Sequence, residues 1–400
     1  MTEQERYEQI DLLCEMKSAI DAQSQIKSIL PSVINLRHDI HSSPELGTET
    51  PNTRSKVLNF LRDTSISLRE PILGCDIIGE LKGTSDRTIV LRADMDAVPL
   101  EEKTDLAYRS TVPNLMHACG HDGHTAMLAG TAVVLDRLRD RLPVNVRFVF
   151  QPGEEMVCAG RAMVDLGTCD GCDAAFALHG WPGLGEGCIS TREGVLFAAG
   201  AGFEIEYWGK GCHGARPEDG NNPIPAAARL VERLQDIHER VFRESRSVVS
   251  VCAFLAGQAS NIIPEKATVK GTARHLTLED GDRIEADIRS AADEVAKAMG
   301  LEAQISYDRS YDLPVINSSV GYDAVRKAAT QLLPEGSWQE AQQPSMAMED
   351  FAFYLKEREG AMFWLGLGQN HASLHSPLFD FNDRVIPVGI MMLSMLALGC

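Results

Sequence analysis

The eight residues His117-Ala118-Cys119-Gly120-His121-Asp122-Gly123-His124 hold three imidazoles, a thiol and a carboxylate. Such a cluster is costly to keep near a folded core unless a metal cation compensates the desolvated, mutually repelling groups. Matching groups stand downstream in Gln151-Pro152-Gly153-Glu154-Glu155, Leu178-His179-Gly180 and Leu374-His375-Ser376-Pro377. A chain with ligand-type residues in four separated segments has to fold so that the segments converge. That requirement restricts the fold more than composition does.

At 400 residues the chain exceeds what one hydrophobic core serves, so two domains are expected. No apolar run reaches the ~18 residues of an ordinary spanning helix. The opening MTEQERYEQIDLLCEMKSAI is acidic and polar, without the apolar core of a secretory signal. These features predict no membrane partner and a cytoplasmic location. A net charge of −19 argues against nucleic acid as a partner. The ten cysteines are scattered through the chain, and disulfides are not expected. Cys169-Asp170-Gly171-Cys172 is a C-x-x-C without a second one, and buried or loop thiols are its expected state.

Along the chain, residues 1–25 read as a helical extension. Short apolar runs follow at 76–81, 88–91, 144–150 and 174–178, with a small-residue helix at 125–139. Strands alternating with helices predict an α/β domain with a largely parallel sheet. Asp94 and Asp96 follow the second run, Glu154 and Glu155 the third, and His179 closes the fourth. In open α/β sheets the ligand crevice lies beyond the carboxyl ends of the strands. From about residue 191 the pattern changes. A strand at 203–207, a helix at 225–241, strands at 248–255 and 267–275, a helix at 278–299 and a strand at 303–307 read as β-α-β-β-α-β, a ferredoxin-like unit. The chain then returns to ligand-type residues. The expected organisation is an extension at 1–25, a metal-binding catalytic domain at 26–190 and 311–400, and an inserted domain at 191–310.

Cys119, His121, Glu155, His179 and His375 suit mixed soft and hard coordination, with zinc favoured and manganese or cobalt admitted by the carboxylate. Five ligands exceed the need of one tetrahedral ion, so a pair of ions is the economical reading. Two ions about 3.5–4 Å apart can hold a hydroxide between them and polarise a carbonyl oxygen. Glu155 is then a ligand and Glu154 the general base, which passes a proton to the leaving nitrogen. His117 and His124 could orient a ligand from behind it.

The chain resembles the M20 family of metallopeptidases, in particular its aminoacylase and amidohydrolase branch, which includes hippurate hydrolases and auxin-conjugate hydrolases. The resemblance spans Arg37 to Asp383 and rests on Arg92-Ala93-Asp94-Met95-Asp96-Ala97-Val98-Pro99, His117–His124, Gln151–Glu155, Leu178-His179-Gly180, Gly211–Pro217, Asn261-Ile262-Ile263-Pro264, Glu349-Asp350-Phe351 and Leu374–Pro377. It implies an α/β di-metal catalytic domain with an inserted ferredoxin-like lid domain. It also implies Cys119, His121, Glu155, His179 and His375 as ligands of two divalent ions per subunit, zinc or manganese with cobalt as an alternative. Glu154 is implied as base, and Asp94 as a residue that orients a ligand or tunes the metals. In the lid, His213 is implied to steady the oxyanion, and Arg274 or Asn261 to hold a terminal carboxylate. A homodimer through the lid belongs to the same expectation. Cys212, Asn222 and Ala347 depart from the branch's usual glycine, aspartate and glycine, which puts lid geometry and substrate choice in doubt.

The expected activity is hydrolysis of the amide bond of N-acyl amino acids to a carboxylic acid and a free amino acid. A dipeptidase or carboxypeptidase on the same site is the alternative. A non-catalytic metal or peptide binder has no need of Glu154, and a structural zinc site favours closed four-ligand coordination.

Overall fold

The computed structural model describes residues 3–399, with side chains from 17 to 399. The chain forms two compact units. One comprises residues 1–196, 316–343 and 350–400, and the other 197–315 with 344–349. The changeovers at 196/197 and 315/316 stand a few residues beyond the 190/191 and 310/311 read from the sequence. The first helix, Glu3–Ser42, runs without a break through Pro31, so residues 3–25 belong to the same element as residues 26–42.

The first unit is built on eight strands in the order Ser67–Leu68, Ile77–Leu81, Asn145–Gln151, Thr88–Asp94, Ala174–Pro182, Glu359–Gly368, Ile189–Thr191 and Trp338–Glu340. The central four, from Asn145–Gln151 to Glu359–Gly368, are mutually parallel. Ile77–Leu81 and Ile189–Thr191 flank them antiparallel, so the sheet is mixed rather than largely parallel. Asn145–Gln151 is buried at every position, as expected of a strand covered on both faces. The helices Glu3–Ser42, His121–Arg137 and Ile386–Leu398 pack against one another. Val33, Leu36, Met127, Leu135, Ile390 and Leu393 join Phe148, Leu178 and Leu365 of the strands in one core.

The second unit is the expected β-α-β-β-α-β. Ala199–Trp208, Ile224–Ser245, Val248–Ala256, Lys266–His275, Leu278–Met299 and Glu302–Asp308 follow in chain order. Its sheet order is Val248–Ala256, Lys266–His275, Ala199–Trp208, Glu302–Asp308, all antiparallel, the ferredoxin-like arrangement. Ile205, Tyr207, Val269, Leu230, Leu234, Ile284 and Ile288 form its separate core. Thr277 caps the second helix by accepting the Asp280 N–H at 3.2 Å. Among the described residues no helix is long and apolar enough to cross a membrane.

Candidate metal centre

The ligand-type residues sit where strands end and a helix begins. Thr88–Asp94 ends on Asp94, and Asp96 lies just beyond it. Asn145–Gln151 runs into Gly153, whose φ of +76° turns the chain so that Glu154 and Glu155 open a short helix. His179 lies inside Ala174–Pro182, which continues past the 178 read from the sequence. The helix expected at 125 starts at His121, so His121 and His124 occupy its first turn. Polar residues are tolerated there because the first N–H groups lack intrahelical partners.

Cys119, His121 and His179 each present a ligand atom within 4.8 Å of the other two, and so do Cys119, Glu155 and His375. Cys119 belongs to both groups. Its Sγ lies 3.5 Å from His179 Nε2, while His375 Nε2 lies 2.9 Å from Glu155 Oε1. Glu154 joins His121 and Glu155 in a further group of the same reach. His375 has φ +59°, the left-handed region that a β-carbon disfavours. Strain of this kind collects at functional positions.

Hydrogen bonds fix how these groups point. The Nδ1–H of His179 donates to the Gly180 carbonyl at 2.8 Å, and that of His121 to the Asp96 carbonyl at 2.9 Å. Each ring therefore turns Nε2 towards the cluster, and His121 Nε2 is buried without a hydrogen-bond partner. His124 is different. Its Nε2 accepts the Gly180 N–H at 2.8 Å and its Nδ1–H donates to Asp94 Oδ1 at 2.7 Å, so both nitrogens are used. Asp96 accepts the Glu154 N–H on one oxygen at 2.9 Å and the Glu155 N–H on the other at 3.0 Å. A single carboxylate thus sets the turn from which the two glutamates diverge.

The electrostatics match a cation-binding cluster. Burial works to raise the Asp94 pKa, but His121, His124 and Arg92 overcome it and hold the carboxyl well below its ordinary value. Burial, with His124 nearby, lowers His179 to about 3, which keeps the ring neutral as a ligand must be. Burial followed by Glu155 and Glu154 pushes the Cys119 thiol well up. Burial opposes protonation of His121, yet Asp94, Asp96 and Glu155 raise it to about 10. A proton on His121 is the positive charge that the Asp94, Asp96 and Glu155 carboxylates attract. A divalent cation offers more charge to the same atoms, so the donor set and the His121 Nε2 left without a hydrogen bond fit a metal.

Of the residues expected in the second unit, His213 and Asn261 are neighbours, while Arg274 stands on another strand. His213 is exposed on a two-residue strand paired with Ile262–Ile263, next to exposed Asn261, whose carbonyl accepts the Gly214 N–H at 2.8 Å. Arg274 is half-buried on Lys266–His275, where it donates to Thr272 Oγ1 and, at 2.9 Å, to the Ala273 carbonyl. Sequence reasoning placed Asp96 and Asp350 only among ligand-type residues and gave no role to Arg92 or Gln151. Arg92, fully buried, donates to Asp94 at 2.8 Å, to Gln151 at 3.2 Å and to Asp350 at 2.7 Å. Gln151 ends its strand and Asp96 lies just beyond another, but Arg92 lies inside Thr88–Asp94 and Asp350 just ahead of the helix Ala352–Glu357. Cys169 and Cys172 are free and buried in a turn, as expected of the C-x-x-C.

A cluster of thiol, imidazole and carboxylate groups beside a buried glutamate fits a metal-dependent amidohydrolase, and the similarity to known proteins shows that class. The chain belongs to peptidase family M20/M25/M40, whose model matches residues 90–398. It is 33% identical over 374 residues to N-acetylcysteine deacetylase of Bacillus subtilis, covering 93% of this chain and 97% of that one. With hippurate hydrolase of Campylobacter jejuni it shares 35% identity over 371 residues, 90% and 96% of the two chains. Among solved structures it is similar to the YXEP protein of Bacillus subtilis, a dinuclear metal-binding peptidase of the M20 family. That match has a TM-score of 0.79 and 32% identity, covering 93% of this chain and 98% of that one.

Proposed function

We propose that the protein hydrolyses the amide bond of N-acyl amino acids, releasing a carboxylic acid and a free amino acid. Two divalent ions would be held at one site by Cys119, His121 and His179 and at the other by Cys119, Glu155 and His375, with the thiolate shared. The observation that carries this reading is that Cys119 belongs to both groups of ligand atoms while Glu154 stands beside His121 and Glu155. When bound, such ions polarise the scissile carbonyl and make water more acidic. Glu154 takes a proton from the attacking water onto its carboxylate and hands it to the leaving nitrogen. Asp96 holds the base in place through its backbone N–H. Asp94 orients the cluster, with one oxygen on His124 and the other 3.7 Å from His121 Nε2.

His213 is assigned to the developing oxyanion, and Arg274 with Asn261 to the substrate carboxylate, by resemblance to related enzymes. Accordingly His213→Ala should lower kcat, and Arg274→Ala should mainly raise KM for substrates with a free carboxylate. Equal weakening of a carboxylate substrate and its amide by Arg274→Ala would make Arg274 structural. We also infer a homodimer through the second unit. One edge of its sheet, Val248–Ala256, carries no charged residue and exposes Phe254 and Leu255, whereas the other edge, Glu302–Asp308, begins and ends on carboxylates. Uncharged edges are the ones that pair.

The test is a hydrolysis screen of N-acetyl, N-benzoyl and indole-acyl amino acids beside dipeptides, with zinc, manganese and cobalt in turn. Turnover of the acyl substrates is expected. Turnover of dipeptides alone would favour the peptidase reading, which the similarity to a dinuclear peptidase keeps in view.

A further inference from the structure

Asp350 lies 258 residues from Arg92 in the chain and belongs to no group of ligand atoms around Cys119. It is fully buried, where an ionised carboxylate is costly unless hydrogen-bonded on every side. Its partners are unusual in where they lead. Asp350 Oδ1 accepts from Arg92 Nη2 at 2.7 Å, and Arg92 Nη1 donates to Asp94 Oδ2 at 2.8 Å. Asp94 Oδ1 takes the Nδ1–H of His124 at 2.7 Å, and His124 Nε2 takes the Gly180 N–H at 2.8 Å. The carbonyl of that same Gly180 accepts the His179 Nδ1–H at 2.8 Å. Five hydrogen bonds, each between 2.7 and 2.8 Å, therefore run from Asp350 to the ring of a proposed ligand.

A second arm leads to the base. Gln151 Nε2 donates to both Asp350 oxygens, at 2.9 and 2.8 Å, and Gln151 ends the strand that launches Glu154 and Glu155. The Gly160 N–H donates to Asp350 Oδ2 at 2.7 Å. A β-carbon at position 160 would stand 2.8 Å from the Asp350 carboxyl carbon, so the approach is open only to glycine. The tautomer of His124 is fixed by both its bonds: with Gly180 donating to Nε2, the proton sits on Nδ1, where Asp94 Oδ1 accepts it.

We propose that Asp350 is a positioning residue for the metal centre, setting the orientation of His179 through Arg92, Asp94, His124 and the Gly180 peptide. The inference rests on the metal-centre reading above. Outer groups that orient metal ligands typically change affinity about 10–100-fold when removed. A merely structural buried carboxylate would change stability and leave affinity alone.

The experiment is zinc titration against a competing chromophoric chelator, on metal-free full-length protein, with melting temperatures recorded in parallel. Asp350→Asn keeps the shape and removes the charge. Asn317→Ala is the structural control: Asn317 is buried in the same unit and donates to Thr191 Oγ1 at 2.8 Å and the Met362 carbonyl at 3.0 Å. Asp350→Asn is expected to weaken zinc about tenfold or more, whereas Asn317→Ala lowers the melting temperature and binds zinc as the wild type does. Gly160→Ala, which crowds Asp350 without altering its charge, should weaken zinc in the same direction and serves if Asp350→Asn does not fold. Wild-type affinity in the Asp350 and Gly160 variants, or equal weakening in the Asn317 control, overturns the positioning role. A wild type that binds no zinc overturns the metal centre itself, and this role with it.

Discussion

Glu154 and Glu155 are adjacent in sequence yet face different surroundings. Glu155 Oε1 meets His375, while Glu154 is buried beside His121 with its N–H held by Asp96. Replacing Glu154 by Gln preserves shape and removes the ability to take a proton. The expected result is a kcat loss of about 10²–10⁴-fold with metal content unchanged. Wild-type kcat in Glu154→Gln would remove it from the base role. Asp96 acts on both glutamates, so Asp96→Ala should weaken metal binding and turnover together, as seen by chelator competition and initial rates. At this scale the proposed ligands and base stand out in the sequence because each is a metal-type or titratable residue in one of a few short clustered segments. The roles of Arg92, Asp350 and Asp96 do not, because their contribution is a set of hydrogen bonds between segments far apart in the chain. An aspartate in a sequence looks the same whether it faces water or caps a buried turn.

The helix His121–Arg137 shows what an element contributes beyond its residues. Its first turn carries His121 and His124 inward, and it also carries Asp122, which His41 contacts at 2.9 Å and Arg37 at 3.1 Å. A carboxylate at a helix N-terminus is favoured by the helix dipole. Burial, the largest effect, acts to lower the His41 pKa, but the hydrogen bond and charge of Asp122 together with the hydrogen bond to Glu102 outweigh it and raise the ring to about 9. A histidine raised from an unfolded value near 6.5 contributes its full stability below about pH 6.5 and loses it as pH climbs through the folded value. The metal-free protein should therefore melt at a lower temperature at pH 9.5 than at pH 6.5. In His41→Gln that part of the pH dependence should vanish. An unchanged pH dependence would mean that His41 is not charged in the fold. Among elements, Leu278–Met299 was read from the sequence with the bounds the structure gives it. The central strand Glu359–Gly368 was not, because its glycines weaken the strand signal. Ile386–Leu398 is buried around most of its circumference, which erases the one-sided spacing that marks a surface helix.

At the scale of the whole molecule, the insertion was readable from the change of pattern near residue 191 and the return of ligand-type residues at the end. The boundaries moved by a few residues because the strands at the changeover, Gly194–Phe197 and Val315–Asn317, are short and carry little signal. The uncharged edge Val248–Ala256 gives the dimer proposal its own test. Phe254→Lys places a charge on that edge and should shift the protein from dimer to monomer in light scattering, with metal content retained. A monomeric wild type would contradict the proposal.

The proposed chemistry depends above all on one thiolate serving two ions. Elemental analysis of the purified wild type and four variants measures this. Two divalent ions per chain are expected in the wild type. One should be lost in either His179→Ala or His375→Ala, and both in the double variant, because those residues belong to different groups around Cys119. Cys119→Ala should weaken both. Full metal content in Cys119→Ala, or retention of one ion in the double variant after each single variant has lost one, would contradict the shared-ligand centre.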